Sequence, residues 1–134
     1  MSQENVEVVR RAAAAFQSGL ERGEVEVFVR EFYDPQGQYE PIEEAAPLRG
    51  HDAIIEYFRR MLEVWDEFHL ELEEVIDAGD HLVSAALLRG RSKSSRIEVS
   101  QRIYSVTEVR DLKILHNREF LNRSEALEAS DPSD

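Results

Sequence analysis

The chain contains no cysteine, which excludes a disulfide framework, a thiolate metal site and a cysteine nucleophile. It has no basic cluster either: 16 lysines and arginines stand against 28 aspartates and glutamates, for a formal net charge of -12. Such a surface repels phosphate backbones and anionic headgroups, so neither nucleic acid nor a membrane is an expected partner. Apolar runs such as Leu82 to Leu88 are far too short to span a bilayer. The stretch Met1 to Glu7 lacks the basic and apolar regions of a secretion signal, and a cytoplasmic protein is expected. The four histidines, His51, His69, His81 and His116, have no metal-ligand spacing, and no helix pairs two of them four residues apart. No phosphate-cradling glycine loop is present, Gly79 and Gly90 reading as hairpin glycines. No metal and no cofactor are expected.

What is present is periodicity. Val6, Val9, Ala13, Phe16 and Leu20 recur at helical steps with Glu7, Arg10, Arg11 and Gln17 between them, predicting an amphipathic helix from Asn5 to about Leu20, capped by Ser2. Gly23 breaks it, and Val25, Phe28, Val29 and Phe32 resume helical spacing until Asp34-Pro35. Gln38 to Ile42 reads as a short strand that Pro41 confines to a sheet edge or its end. Glu43 to Gly50 reads as a loop, and His51-Asp52 opens a third helix with Ile54, Ile55, Phe58, Leu62 and Trp65 on its apolar face.

From Phe68 the period changes to two, with Phe68, Leu70 and Leu72 alternating with His69, Glu71 and Glu73. A turn at Asp77 to Asp80 leads to the strand Leu82 to Leu88, apolar on both parities apart from Ser84 and so covered on both faces. A polar turn over Arg89 to Ser95, a long strand over Arg96 to Arg110, a turn at Asp111 to Lys113 and a strand over Ile114 to Leu121 follow, then a short helix over Arg123 to Ala129. Residues 1–129 form one domain of a size that buries about two thirds of its unfolded surface; residues 130–134 are an expected disordered tail. The order predicts an α+β domain: a curved antiparallel sheet wrapped around three N-terminal helices as a cone-shaped barrel, with a cavity between the layers.

That order, together with Phe32-Tyr33-Asp34-Pro35, Arg49-Gly50-His51-Asp52-Ala53-Ile54 and the final-strand Arg118-Glu119-Phe120-Leu121, resembles the SnoaL-like branch of the nuclear transport factor two superfamily. The resemblance implies the cone fold but no single reaction, because the superfamily holds polyketide cyclases, steroid isomerases, epoxide hydrolases and non-enzymatic modules. The steroid isomerase pattern would place its base at Glu40, but its helix-one tyrosine falls on Phe16 and Gln101 to Ser105 offers no acid. The epoxide hydrolase pattern would use Glu119, but Ser84 to Leu88 lacks its charged pair. A polyketide cyclase-like role, in which one acid takes a proton from an activated carbon, requires the least machinery.

The resemblance implies a pocket face carrying Ser84, Ala86, Leu88, Gln101, Ile103, Ser105, Asn117 and Glu119, with Tyr39 and Trp65 along its edge. Glu119 is either a desolvated proton carrier or the partner of an arginine such as Arg102. Glu40 either enters the cavity mouth or lies in solvent beside Glu43 and Glu44. The expected ligand is a small apolar molecule, handled by a proton-transfer enzyme of cyclase or isomerase type or by a non-catalytic dimeric carrier, sensor or interaction module. Tyr104, Val106, His116 and Phe120 would form an apolar patch on the convex sheet face, from which a homodimer is expected.

Overall fold

A computed structural model describes residues 2–130, the Ser2 side chain excepted; the expected cap at Ser2 and the tail over 131–134 lie outside the described residues. Helix α1 spans Ser2–Arg22 and α2 spans Glu26–Phe32. Between them Gly23 takes φ +71°, the left-handed conformation that closes a helix end without a Cβ penalty. The turn is tight: Glu24 N–H donates to the Gly19 carbonyl at 2.7 Å.

Gly19 is required by that closeness. A Cβ there would lie 2.3 Å from the Glu24 carbonyl oxygen. Helix propensity alone would favour Gly19→Ala by up to about 1 kcal/mol, but the contact is with rigid backbone, so the clash dominates. Gly19→Ala is expected to lower the urea midpoint, and a rise would show that the turn relaxes at little cost.

Strand β1 (Tyr33–Glu40) begins directly after α2 and runs through Pro35, earlier than the alternation of residues had implied. Pro35 falls inside a register shift between Tyr33 and Gln38, where the ladder does not need its missing N–H. A two-residue strand β2 (Leu48–Arg49) lies within the expected loop, and α3 (Gly50–Val64) follows it. The long strands are β3 (Trp65–Asp77), β4 (Leu82–Ser92), β5 (Glu98–Arg110) and β6 (Lys113–Phe120), and α4 (Arg123–Ala129) closes the described chain. Asp111 and Leu112 both take positive φ in the two-residue β5–β6 turn, the geometry that matches strand twist in a tight hairpin.

The architecture is α+β, with six strands in the order β2-β1-β6-β5-β4-β3. Two details correct the sequence reading. The sheet is mixed, because β1 pairs with β6 in parallel, and it stays open, with β2 and β3 as its edges. The strands β3 to β6 form the antiparallel part. The main core lies between the three N-terminal helices and the concave face, and includes Val8, Phe16, Phe28, Ile54 and Phe58.

A smaller cluster on the convex face joins Val83, Val106 and Ala126 with Tyr104 and Phe120 packed against it. The apolar patch from which a dimer was expected is thus covered in part by α4, whose Asn122 cap accepts the Glu125 N–H at 2.9 Å. His116 on that face pairs with Glu40. Ser130, assigned to the tail by its sequence, is buried and donates through its hydroxyl to the Leu127 carbonyl at 2.8 Å. Among the described residues no helix is long and apolar enough to cross a membrane.

Candidate functional site

A pocket of about 240 Å³ opens between the helices and the concave sheet face. Its floor is built in rows by strand register. Glu119, Ser105 and Ser84 are successive partners across β6, β5 and β4. The next row outward is Ile103, Ala86 and Leu72, and the next is Gln101, Leu88 and Leu70. The rim carries Val99 opposite Gly90. Ser84 and Ile103 in the first two rows are 8% and 7% exposed, whereas Gln101 is exposed and Val99 reaches 42%, so the mouth lies at the rim and the polar row at the far end from it.

Trp65 and Phe68 both line the mouth although they are three positions apart, an odd spacing that a regular strand would send to opposite faces. A register shift between Asp66 and His69, with Glu67 at φ 51°, turns the strand between them. Trp65 therefore reaches the pocket as the first residue of β3, and not from the helix to which its spacing had assigned it.

At the deep end Glu119 accepts a hydrogen bond from the Tyr39 hydroxyl at 2.5 Å and another from the Ile42 N–H at 3.3 Å. The side chain is half-buried, and the surface it keeps is pocket wall. Desolvation raises its carboxyl above the usual range, and the two hydrogen bonds oppose that rise without cancelling it. The arginine alternative fails, because Arg102 forks onto Glu73 at 2.5 and 2.9 Å and holds that carboxyl below its ordinary value.

Glu40 is not part of the pocket. Residues 39 and 40 of one strand face opposite sides, and it is Tyr39 that points inward while Glu40 meets His116 on the convex side. Asn117 shares the parity of Glu119 but lies beneath the lining, accepting from the Thr107 hydroxyl at 3.0 Å and donating to the Tyr33 hydroxyl at 3.4 Å. The other anticipated residues, Tyr39, Trp65, Ser84, Leu88, Gln101, Ile103 and Glu119, all line the pocket. Among the described residues no group of three or more acids and histidines could hold a metal ion.

Sequence reasoning missed Tyr57, whose hydroxyl donates to Glu43 above the same deep end. Its signal was available: Tyr57 lies three residues after Ile54 on the apolar face of α3. Tyr33, Tyr39 and Tyr57 are all buried, and desolvation pushes each phenol above its ordinary range, with Glu119 adding to the effect at Tyr39 and Glu43 at Tyr57. Because the native values lie above the ordinary 10.0, the stability these groups contribute is complete below about pH 10 and is lost as pH rises through the native values. Native protein at about pH 11 is expected to show far less phenolate absorbance than its four tyrosines could give, the rest appearing on unfolding. Full ionisation of the native protein would contradict this burial.

The family model described as SnoaL-like domain matches residues 9–117. No curated protein sequence matches the chain. Among solved structures, a provisionally assigned SnoaL-like polyketide cyclase from Jannaschia sp. CCS1 is 18% identical with a TM-score of 0.76, covering 97% of this chain and 92% of that one. An NTF2-like protein of unknown function from Burkholderia pseudomallei K96243 is also 18% identical, with a TM-score of 0.76 and coverage of 96% and 97%. TerC co-crystallised with polyporic acid is 16% identical, with a TM-score of 0.74 and coverage of 95% and 98%. At such identities the likeness is one of fold.

Proposed function

This chain belongs to the SnoaL-like domain family, and on that premise we propose that it takes a small, largely apolar carbonyl compound into the pocket and moves a proton at the carbon beside the carbonyl. Glu119 is the proton carrier. The observation that supports this is the Glu119 carboxyl in the floor of a largely apolar pocket, held by one phenol and one backbone N–H and raised in pKa by burial. A carboxyl raised towards the working pH matches a general base better than one at its ordinary value.

The proton bookkeeping is simple. The substrate C–H bond breaks, its proton forms the O–H of Glu119, and the electron pair enters an enolate. As the carboxylate becomes a neutral acid, the Tyr39 hydrogen bond loses its charge assistance. The phenol is then free to donate to the enolate oxygen, where developing charge is best stabilised in a dry site. Tyr57 offers a second un-ionised phenol nearby. The pocket, of about 240 Å³, lies just below the roughly 300–1,000 Å³ of common ligand sites, which suits a small molecule.

The test is deuterium exchange at the α-carbon of 1-phenylbutane-1,3-dione in heavy water, followed by proton NMR. The protein is expected to raise the exchange rate above the buffer rate, and Glu119→Gln to abolish most of that rise. Binding of the probe without any acceleration would favour a non-catalytic carrier and overturn the reading.

A further inference from the structure

A proton taken up by Glu119 must leave again before the next turnover. Among the described residues that line the pocket only two are carboxylic, Glu119 and Glu43. Glu43 directly follows Ile42, whose N–H donates to Glu119 at 3.3 Å, so one short segment seats both acids at the same end of the pocket. They are near enough that the Glu43 charge adds to the rise in the Glu119 carboxyl. Their surroundings differ. The surface Glu119 keeps is pocket wall, whereas Glu43 is an exposed residue that also accepts from the Tyr57 hydroxyl. Glu43 thus meets the pocket on one side and solvent on the other.

We propose that Glu43 is the proton shuttle of this site, carrying the proton between Glu119 and solvent while a ligand fills the pocket. This rests on the reading of Glu119 as proton carrier. The path to the mouth does not serve the same purpose. A bound ligand lies along it, and its rows, Ile103 with Ala86 and Leu72 and then Gln101 with Leu88 and Leu70, hold no titratable side chain. On the other side the distance to solvent is one residue. Pro41 and Pro47 bracket the segment that carries Glu43, and the Glu44 N–H donates to the Pro41 carbonyl at 3.2 Å, so Glu43 is presented on a tight turn.

The step balances with water as the only co-reactant. The Glu119 O–H bond breaks as an O–H bond forms on Glu43, directly or through one water, and the electron pair left behind restores the Glu119 carboxylate. Glu43 then gives the proton to bulk water. A solvent deuteron enters by the reverse path. Two carboxyls at one end of a pocket disfavour the state in which both are ionised, so a proton leaving one is drawn to the other. The Tyr57 hydroxyl stays un-ionised throughout, and its bond to Glu43 keeps that carboxyl turned towards the pocket.

The test is α-deuterium exchange of 1-phenylbutane-1,3-dione in heavy water by the whole protein and by its Glu43→Gln and Glu44→Gln variants, each with and without sodium formate. Glu43→Gln is expected to lower the exchange rate at least roughly tenfold. Formate is expected to restore it in proportion to concentration and then level off, after subtraction of the rate formate gives alone. Glu44→Gln removes the same charge from the same turn, but Glu44 does not line the pocket, and this variant is expected to keep the wild-type rate. A small acid replaces a missing proton carrier but not a missing structural contact. A loss in Glu43→Gln that formate leaves unchanged would therefore overturn the shuttle, as would a Glu43→Gln variant as fast as wild type or an equal loss in Glu44→Gln. Failure of the premise is distinct: wild type itself then gives no exchange above buffer, Glu119 has no proton to pass on, and both readings fall.

Discussion

Glu119→Gln is expected to be more stable than wild type at neutral pH and, at the same time, slower in α-proton exchange by about 10²- to 10⁴-fold, the range typical of a positioned general base. The sign of the stability change follows from the direction of the pKa shift. The folded protein holds the Glu119 proton more tightly than the unfolded chain, whose carboxyl titrates near 4.5. Its stability contribution is therefore complete below about pH 4.5, falls as pH rises towards the raised native value, and is flat beyond it. Each tenfold difference in proton affinity is worth about 1.4 kcal/mol.

Glutamine removes that dependence without disordering the site. Its carbonyl oxygen can still accept from the Ile42 N–H, while its amide nitrogen can donate to the Tyr39 oxygen, because a phenol also accepts. Urea unfolding of both proteins at several pH values measures the difference, which should vanish in acid and grow to a plateau near neutrality. A constant difference at all pH values, or destabilisation near neutrality, would mean that Glu119 is a structural anchor.

Phe58→Ala is expected to lower stability by about 3–5 kcal/mol, the largest effect of any single truncation near the site. Phe58 is buried and touches four other rings. Its centroid lies 5.1 Å from Phe16, 6.0 Å from Phe28, 5.4 Å from Tyr57 and 5.4 Å from Tyr39, on which it stacks. Truncation forfeits the buried area and leaves a void whose walls are held by both the helices and the sheet, so collapse is incomplete. The urea midpoint should fall with little change in slope. Tyr39 loses the surface that orients its hydroxyl towards Glu119, so exchange should slow as well; a stability loss below about 1 kcal/mol would refute this ring's central position.

Much of this site was legible because strand parity is exact. Once one residue of β4, β5 or β6 faces the pocket, every second neighbour does too, and Ser84, Leu88, Gln101, Ile103 and Glu119 follow. Parity also guarantees that only one of Tyr39 and Glu40 can face inward, but it does not say which. That choice is made by the parallel register with β6, where Tyr39 pairs with Asn117 and Glu40 with Arg118, a contact across most of the chain that no local pattern encodes. Trp65 was assigned to the pocket edge correctly but to the wrong element, because a bulge breaks the count. Asn117 was misread because sharing a face does not fix depth: Tyr33 lies over it. The convex patch looked open because α4, although anticipated, carries no signal of where it packs.

The β1–β6 pairing also determines when the site can exist. Tyr39 and Glu119 are 80 residues apart in the chain, and the strand carrying Glu119 is the last of the described strands in chain order. Until β6 inserts between β1 and β5, the β4–β5 hairpin presents an unpaired edge and Tyr39 has no acceptor. Long-range closure of this kind is slow to form and depends on the whole chain. The Tyr39–Glu119 pair therefore depends on the β1–β6 closure, and a chain in which β6 is unpaired has the cleft walls of β3 to β5 without Glu119 in its floor.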